Sequence, residues 1–230
     1  FSISQESSKA IRFSTFSPCG EKILTVYDDS TFSLRSLKTR KNLFSFEGHS
    51  DRINFASFSP DGKLIATTSN DKSAKVWETE TAKLIASLEH NESVILASFD
   101  CDGKNLVTCS ENQNSIIWNI REAKIKLSGP RSFNSLMFSP DGASVLSTGR
   151  YNKSARVWSA NTGKIKFALN GHLSAVNSAF YSSDGTRIVT TSNDDTIRIW
   201  DANNGDELLI LNAGRCDFAK FFPNGKSIVF

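Results

Sequence analysis

The feature that most constrains this chain of 230 residues is a repeat of about 41 residues, marked by two residue types. The four tryptophans are separated by 41, 40 and 42 residues and are Trp77, Trp118, Trp158 and Trp200. Glycines in turn-forming segments such as SPDG follow the same period, with spacings of 42, 41, 39, 43 and 40 residues: Gly20, Gly62, Gly103, Gly142, Gly185 and Gly225. Two interleaved series with one period indicate that a single structural unit recurs along the chain.

Each unit has the pattern of four short β-strands. In the clearest unit, INFASF and KLIATTS flank an SPDG turn, and SAKVW and KLIASL follow after short gaps, which predicts strands at about 52–58, 63–68, 73–78 and 83–88. These strands are apolar on both alternations, so both faces of each sheet need covering by neighbours. Radial stacking of the sheets meets this need, and the predicted fold class is an all-β propeller with one four-stranded antiparallel blade per repeat.

Two segments carry a family resemblance. GHSDRINFASFSPDGKLIATTSNDKSAKVWE (48–78) and GHLSAVNSAFYSSDGTRIVTTSNDDTIRIWD (171–201) resemble the WD-repeat β-propeller family in their GH start, SPDG-like turn and WD-like end. The resemblance extends more loosely over the rest of the chain. It implies a WD-repeat propeller and indicates no specific function.

The repeat also predicts the blade boundaries. Residues 1–7 match the last strand of a preceding blade, and the blades that follow are at about 8–47, 48–88, 89–128, 129–169, 170–212 and, in part, 213–230. A propeller must close on itself, so these five and a half blades are interpreted as part of a seven-bladed or larger propeller. Closure with six blades is the alternative. In the first case residues 1–230 alone are expected to aggregate.

The resemblance implies a hydrogen-bonded tetrad in each of the two best repeats. The residues concerned are His49, Ser69, Asp71 and Trp77, and His172, Ser192, Asp194 and Trp200. Asp194 and Asp195 together look like a catalytic or metal-binding carboxylate pair, but on this reading Asp194 is structural. Asp195 has no repeat position and is expected to be a solvated turn residue.

Other repeats depart from the tetrad. The third keeps His90 but has Asn112 at the Asp position, and the fourth has Pro130 and Asn152 at the His and Asp positions. The first keeps Asp29 and has Arg35 in place of the tryptophan. These blades are expected to be held less rigidly, because each missing buried hydrogen bond removes about 1 kcal/mol of stabilisation.

Composition and motifs argue against several classes of function. The sequence lacks the nucleophile-elbow, P-loop, dinucleotide-binding and HExxH motifs, so no catalytic residue, cofactor or metal is predicted. The 27 Lys and Arg residues and 24 Asp and Glu residues are spread along the chain, which argues against nucleic-acid binding. No apolar run is long enough for membrane insertion. Four unpatterned cysteines fit a reducing compartment, the cytoplasm or nucleus.

The expected role is the binding of other proteins or peptides. In the family, partners contact the loop before the first strand and the turn between the second and third strands. The candidate residues for this partner-binding face are Arg12, Arg52, Asn54, Phe133, Arg150, Tyr151 and Arg215.

Three functions remain open at this stage. The first is a non-catalytic scaffold or adaptor in a larger assembly. The second is the sensor domain of a larger signalling protein of the STAND nucleotide-switch type. The third is substrate recognition for ubiquitin ligation.

Overall fold

The computed structural model describes residues 9–111, 115–122, 124–128 (main chain only), 135–149, 152–222, 224–225 and 227–230. These residues form strands and turns and no helix. The strands make five four-stranded antiparallel sheets and one two-stranded sheet, each with its strands in chain order. This arrangement confirms the predicted fold class.

The strands of the first three sheets, in chain order, are β1 (Ile11–Phe16), β2 (Lys22–Tyr27), β3 (Phe32–Ser36) and β4 (Asn42–Phe46); β5 (Ile53–Phe58), β6 (Leu64–Ser69), β7 (Ser73–Glu78) and β8 (Leu84–Glu89); and β9 (Val94–Phe99), β10 (Asn105–Ser110), β11 (Ser115–Asn119) and β12 (Lys124–Ser128). The remaining strands are β13 (Ser135–Phe138), β14 (Ser144–Thr148), β15 (Ser154–Ser159) and β16 (Ile165–Asn170); β17 (Val176–Tyr181), β18 (Arg187–Ser192), β19 (Thr196–Asp201) and β20 (Glu207–Asn212); and β21 (Lys220–Phe221) and β22 (Ile228–Val229).

The SPDG segments form the turns between the first and second strands. In the second sheet, Gly62 has a φ of 71°, a left-handed conformation that glycine adopts at little cost, and its N–H donates to the Ser59 carbonyl at 2.9 Å. The Ser59 hydroxyl donates to Asp61 at 2.7 Å and accepts the Leu64 N–H at 2.9 Å. Serine, aspartate and glycine therefore each have a defined task in closing this hairpin.

The apolar core consists of layers between consecutive sheets. Each buried cluster draws its side chains from two neighbouring sheets, and the five clusters account for the five successive junctions. The first strand of each later sheet lies against the sheet before it, as β9 does against β5 and β6. Extended contacts between described strands join consecutive sheets only, and none joins the sixth sheet to the first.

Each tryptophan packs against the sheet that precedes its own. Trp77 of the second sheet meets Phe32 and Phe46 of the first edge-on, with ring centroids 5.5 and 5.7 Å apart. The two phenylalanine rings stack on each other at 4.3 Å. The tryptophan period therefore reflects the repeated junction between sheets.

The turns between first and second strands also stack from sheet to sheet. A Cβ added at Gly62 would lie 3.6 Å from Pro18 of the preceding turn, and one added at Gly185 would lie 3.5 Å from Pro140. The corresponding contact of Gly142 is with the Cys101 sulfur at 3.2 Å. These turns thus form a continuous row along one end of the sheets.

Candidate functional site

The tetrads lie at the opposite end of the sheets from this row of turns. In each sheet, antiparallel order places the turn between the second and third strands at the same end as the connections between sheets. We call this end the tetrad end. The other end carries, in each sheet, the turn between the first and second strands and the turn between the third and fourth strands. The tetrad end is therefore where the two loops predicted to bind partners come together.

In the second sheet, buried His49 links the loop before β5 to the strands behind it. Its Nδ1 lies 2.7 Å from Asp71 Oδ2, and its Nε2 lies 2.8 Å from Thr67 Oγ1. Thr67 Oγ1 also accepts the Trp77 indole N–H at 2.9 Å. Asp71 in addition accepts the Ser50 N–H at 3.1 Å and the Ser73 N–H at 3.0 Å. The loop and the turn are thus tied to one carboxylate.

The fifth sheet repeats this geometry. His172 Nδ1 lies 3.0 Å from Asp194 Oδ2, and its Nε2 lies 2.7 Å from Thr190 Oγ1. The Trp200 indole N–H donates to Thr190 at 2.8 Å, and Asp194 accepts the Leu173 N–H at 2.7 Å. The carboxylate next to Asp195 is fully engaged within the fold.

The prediction that Ser69 and Ser192 supply the tetrad hydroxyls is wrong. Ser69 instead donates to the Asp51 carbonyl at 2.8 Å and accepts the Asp71 N–H at 3.0 Å, and Ser192 bonds Ser174 and Asp194 in the same way. The reason is the strand register. Trp77 stands opposite Ile65, so Thr67 is its diagonal neighbour and Ser69 is two residues too far along the strand.

A signal for the correct hydroxyl exists in the sequence. The position five residues after the turn glycine carries a hydroxyl in every four-stranded repeat: Thr25, Thr67, Thr108, Ser147 and Thr190. The position two residues later, which includes Ser69 and Ser192, has Tyr27 and Gly149 in the first and fourth repeats. The more regular of the two columns is the one that contacts tryptophan.

Electrostatics favour a neutral histidine and an ionised aspartate in both tetrads. Burial lowers the pKa of His49 and of His172, although the adjacent carboxylate opposes the effect. Burial alone would raise the pKa of Asp71, but hydrogen bonds from Ser73 and His49 outweigh it and lower that pKa. With Nδ1–H donating to Asp71, Nε2 accepts from the Thr67 hydroxyl, and every polar group in the chain of bonds has a partner.

The other sheets keep parts of the tetrad. His90 Nε2 lies 2.8 Å from Thr108 Oγ1, which also accepts the Trp118 indole N–H at 2.7 Å. The Asp position of that repeat, Asn112, lies outside the described residues. Burial lowers the pKa of His90 to about 4.

The fourth and first sheets show two further variants. In the fourth sheet, the Trp158 indole N–H donates to Ser147 at 2.8 Å. In the first, Lys9 Nζ lies 2.6 Å from Asp29 Oδ2 and 3.1 Å from Thr31 Oγ1, and the histidine position, Ser7, lies outside the described residues.

Asp195 is exposed, as expected, but it does have a repeat position. Its φ of 64° is left-handed. Ser30 and Lys72 hold the same place in the turn between the second and third strands of their sheets, with φ of 66° and 69°. The position is defined by backbone conformation, which a comparison of side chains does not reveal.

Two of the predicted partner-binding residues, Arg12 and Asn54, lie at a bulge in the first strand of their sheets. Asn54 Nδ2 donates to Asn70 Oδ1 at 2.7 Å and to the Val94 carbonyl of the next sheet at 3.0 Å. Asn177 makes the corresponding bonds to Asn193 and the Cys216 carbonyl. The Asn54 amide is therefore occupied in holding two sheets together.

Arg12 takes the corresponding position in the first sheet. Its Nε lies 3.9 Å from Asp28 Oδ1. Its buried Nη1 has no hydrogen-bond partner among the described residues.

Arg52 and Arg215 project from the tetrad end. Arg52 is exposed, and within the described part of the chain its side chain forms no ion pair. The Arg215 side chain is 84% exposed, and its Nε lies 3.9 Å from Asp217 Oδ1. The remaining candidates, Phe133, Arg150 and Tyr151, lie outside the described residues.

Leu173 is a surface feature that the sequence reasoning missed. It is 76% exposed, and its own N–H is held by Asp194. The second and third repeats have Ser50 and Asn91 at the same position. An apolar residue in an otherwise polar column is the signal that marks it.

The described residues contain no group of three or more His, Cys, Asp or Glu side chains placed to hold a metal ion. All four cysteines are described, and none forms a disulfide. Within the same residues, no helix has the length and apolar character needed to span a membrane. At the tetrad end, buried polar side chains therefore hold the loops in place by hydrogen bonds.

Comparison with known families gives a match over most of the chain. The family described as NWD2 C-terminal beta-propeller matches residues 43–222. The match covers the second to fifth sheets and the start of the sixth.

Individual relatives match over shorter segments. Protein tipD of Dictyostelium discoideum is 37% identical over 79 residues, which are 34% of this chain and 13% of tipD. Human Coronin-7 is 32% identical over 75 residues, 33% of this chain and 8% of the relative. The small ribosomal subunit protein RACK1y of Oryza sativa subsp. japonica is 33% identical over 78 residues, 34% of this chain and 23% of the relative. The matched segments span less than a quarter of each of these three proteins.

Proposed function

Since this chain belongs to the NWD2 C-terminal beta-propeller family, we propose that it is a non-catalytic scaffold that binds proteins or peptides at its tetrad end. The scaffold acts as part of a larger assembly. Four cysteines without disulfides support a reducing compartment, the cytoplasm or nucleus, as its location.

The observation that carries this proposal is the contrast between backbone and side chains at the tetrad end. The loops are fixed from behind, because Asp71 and Asp194 accept N–H groups from the connections that carry Arg52 and Leu173. The N–H of Asn70 also donates to the Arg52 carbonyl at 2.9 Å. The side chains of Arg52 and Leu173 nevertheless point away from the fold. Binding to such a preorganised surface requires little ordering of the loops.

A site-specific crosslinking experiment tests this assignment. A photoreactive amino acid is placed at position 173 or, as a control, at exposed Asn204 at the opposite end, and crosslinked proteins are identified by mass spectrometry in cells. We expect a defined set of proteins from position 173 only, and its loss when Arg52 is changed to Glu. Equal labelling from both positions, or labelling unaffected by Arg52→Glu, would refute binding at this end.

A second candidate function is supported by the family description, since the propeller of that family is described as the C-terminal part of NWD2. On this reading the propeller is the ligand- or partner-sensing domain of a STAND-type nucleotide-switch protein. Ligand binding at the tetrad end would then control a nucleotide-binding domain elsewhere in that protein.

The complete sequence and a nucleotide-binding assay separate the two candidates. The sensor requires a P-loop, GxxxxGK followed by Ser or Thr, and binding of ATP or GTP that changes when Arg52 is replaced by Glu. A complete protein that lacks this motif and does not bind nucleotide excludes the sensor and leaves the scaffold.

A further inference from the structure

A turn at the end opposite the tetrads concentrates positive charge. The β3–β4 turn of the first sheet, residues 37–41, has the sequence LKTRK, and all five residues are exposed. We call it the basic turn. Within the described structure, Lys38, Arg40 and Lys41 form no ion pair. The three charges are therefore available to a ligand.

The basic turn has a fixed main chain. The Ser36 N–H donates to the Lys41 carbonyl at 3.0 Å, and the Leu37 N–H donates to the Glu21 carbonyl at 2.8 Å. The Ser36 hydroxyl accepts the Thr39 N–H at 3.2 Å, and Arg40 adopts a left-handed φ of 59°. The three cations are thus presented from a defined loop.

The charge of this turn departs from the repeat. Residues 37–41 contain three cations and no acid, for a net charge of +3. The same turn at 79–83 has one acid and one cation, the turn at 160–164 has one cation, and the turn at 202–206 has one acid. The repeat architecture therefore does not require these charges.

We propose that the basic turn is a docking site for an acidic segment of a partner protein, separate from the tetrad end. Arg40 can bind a carboxylate through two parallel hydrogen bonds, and Lys38 and Lys41 attract further acids. Leu37 and Leu43 are exposed on either side and offer apolar contact to a segment that also carries an aliphatic side chain.

The surroundings favour a protein ligand over nucleic acid. Exposed Glu21 lies beside the turn through its carbonyl bond to Leu37, and Glu80 of the next sheet pairs with Lys22. The positive charge is therefore confined to one turn, whereas a nucleic-acid backbone is bound by a basic stripe across several elements. The exposed leucines have no use in binding phosphates.

Binding of a fluorescein-labelled peptide rich in glutamate and leucine, followed by anisotropy with the complete protein, tests the proposal. We expect saturable binding that weakens as salt is raised, since the contacts are exposed charges. Lys38→Glu with Lys41→Glu should weaken it about tenfold or more, because attraction is replaced by repulsion.

The matched control is Lys83→Glu with Lys164→Glu. Both lysines are exposed, and their carbonyls accept the same turn-closing bond as that of Lys41, at 2.8 and 2.9 Å. The control should bind like the unmodified protein, and equal urea midpoints should show that both double variants are folded. Absence of saturable binding, or equal losses in the two variants, would overturn the site. Tighter binding of an oligothymidylate than of the peptide would overturn the class of partner.

Discussion

Thr67 and Thr190 each bond two buried rings through a single hydroxyl, so one small side chain satisfies a histidine and a tryptophan at once. Loss of that hydroxyl leaves both ring nitrogens without a partner in a site closed to water. An unpaired buried polar group costs more than an average hydrogen bond contributes.

Thr67→Val should therefore destabilise the protein by about 2–3 kcal/mol, since it preserves shape and removes only the hydroxyl. Thr68→Val is the matched control, because the neighbouring Thr68 hydroxyl is equally buried and has no hydrogen-bond partner among the described residues. Its free energy of unfolding should stay the same or rise. Urea denaturation of both variants measures the difference, and equal effects would contradict the assigned role of Thr67.

Three histidines with lowered pKa values make stability depend on pH. The pKa of His90 falls from 6.5 to about 4 on folding, so the unfolded chain takes up a proton that the folded ring does not. The stability is fully present above about pH 6.5 and falls as the pH is lowered toward 4, by at most about 1.4 kcal/mol per pH unit for each histidine.

His90→Gln should reduce this slope without abolishing it, because His49 and His172 also have lowered pKa values. Chemical denaturation at a series of pH values tests the point. An unchanged slope between pH 6.5 and 4 would show that the His90 ring is not held neutral.

Among the elements, the bulged first strand has the most specific task. The bulge directs Asn54 and Asn177 toward the turn between the second and third strands of their own sheet and, at the same time, toward the next sheet. In the third sheet the bulge residue is Ile95, which has no polar group to make this link. The sheets are therefore not all joined by the same contacts.

Asn54→Ala should cost about 1–2 kcal/mol of stability and leave the Val94 carbonyl without its side-chain donor. Hydrogen exchange in β9 should accelerate as the junction loosens. Asn177→Ala, as the counterpart, should accelerate exchange around Cys216 and leave β9 unchanged. Identical exchange patterns in the two variants would contradict a local link between sheets.

The elements could be predicted from the sequence far better than the surface. The periods of Trp and Gly, together with two-sided apolar strands, predict sheets stacked on one another, because both depend on local turn chemistry and burial. The choice between Ser69 and Thr67 depends on cross-strand register, which residue spacing does not supply. The role of Asn54 depends on a carbonyl of the next sheet, and the exposure of Leu173 on packing around a loop.

In the molecule as a whole, the first and sixth sheets each pack on one neighbouring sheet among the described residues, and both expose large apolar side chains. The first sheet exposes Ile11 and Phe16 of β1, and the sixth exposes Val229 of β22, with Phe222 and Phe230 next to its strands. In β20 of the fifth sheet Leu209 is exposed, whereas Ala86, at the same register position of the second sheet, is buried against the third. The two outer faces are therefore the surfaces most prone to association.

Residues 1–230 expressed alone should self-associate, and sedimentation velocity should detect the larger species. Leu209→Lys with Val229→Lys should shift the distribution toward monomer, whereas Leu173→Lys at the tetrad end should not. A stable monomer with a high melting temperature would instead favour closure with six blades.

The stacked row of turns between first and second strands limits how such a protein can diversify. Each turn glycine rests on the turn before it, with Gly62 against Pro18 and Gly185 against Pro140, so a longer loop there would displace its neighbour. The turns between the third and fourth strands are fixed at their first residue, since Thr79, Ile120 and Ala160 are buried, but the two residues that follow are exposed in each of these turns. Inserted segments, whether acquired in evolution or grafted by engineers, should be tolerated at the exposed tips of the turns between third and fourth strands and rejected at the SPDG turns.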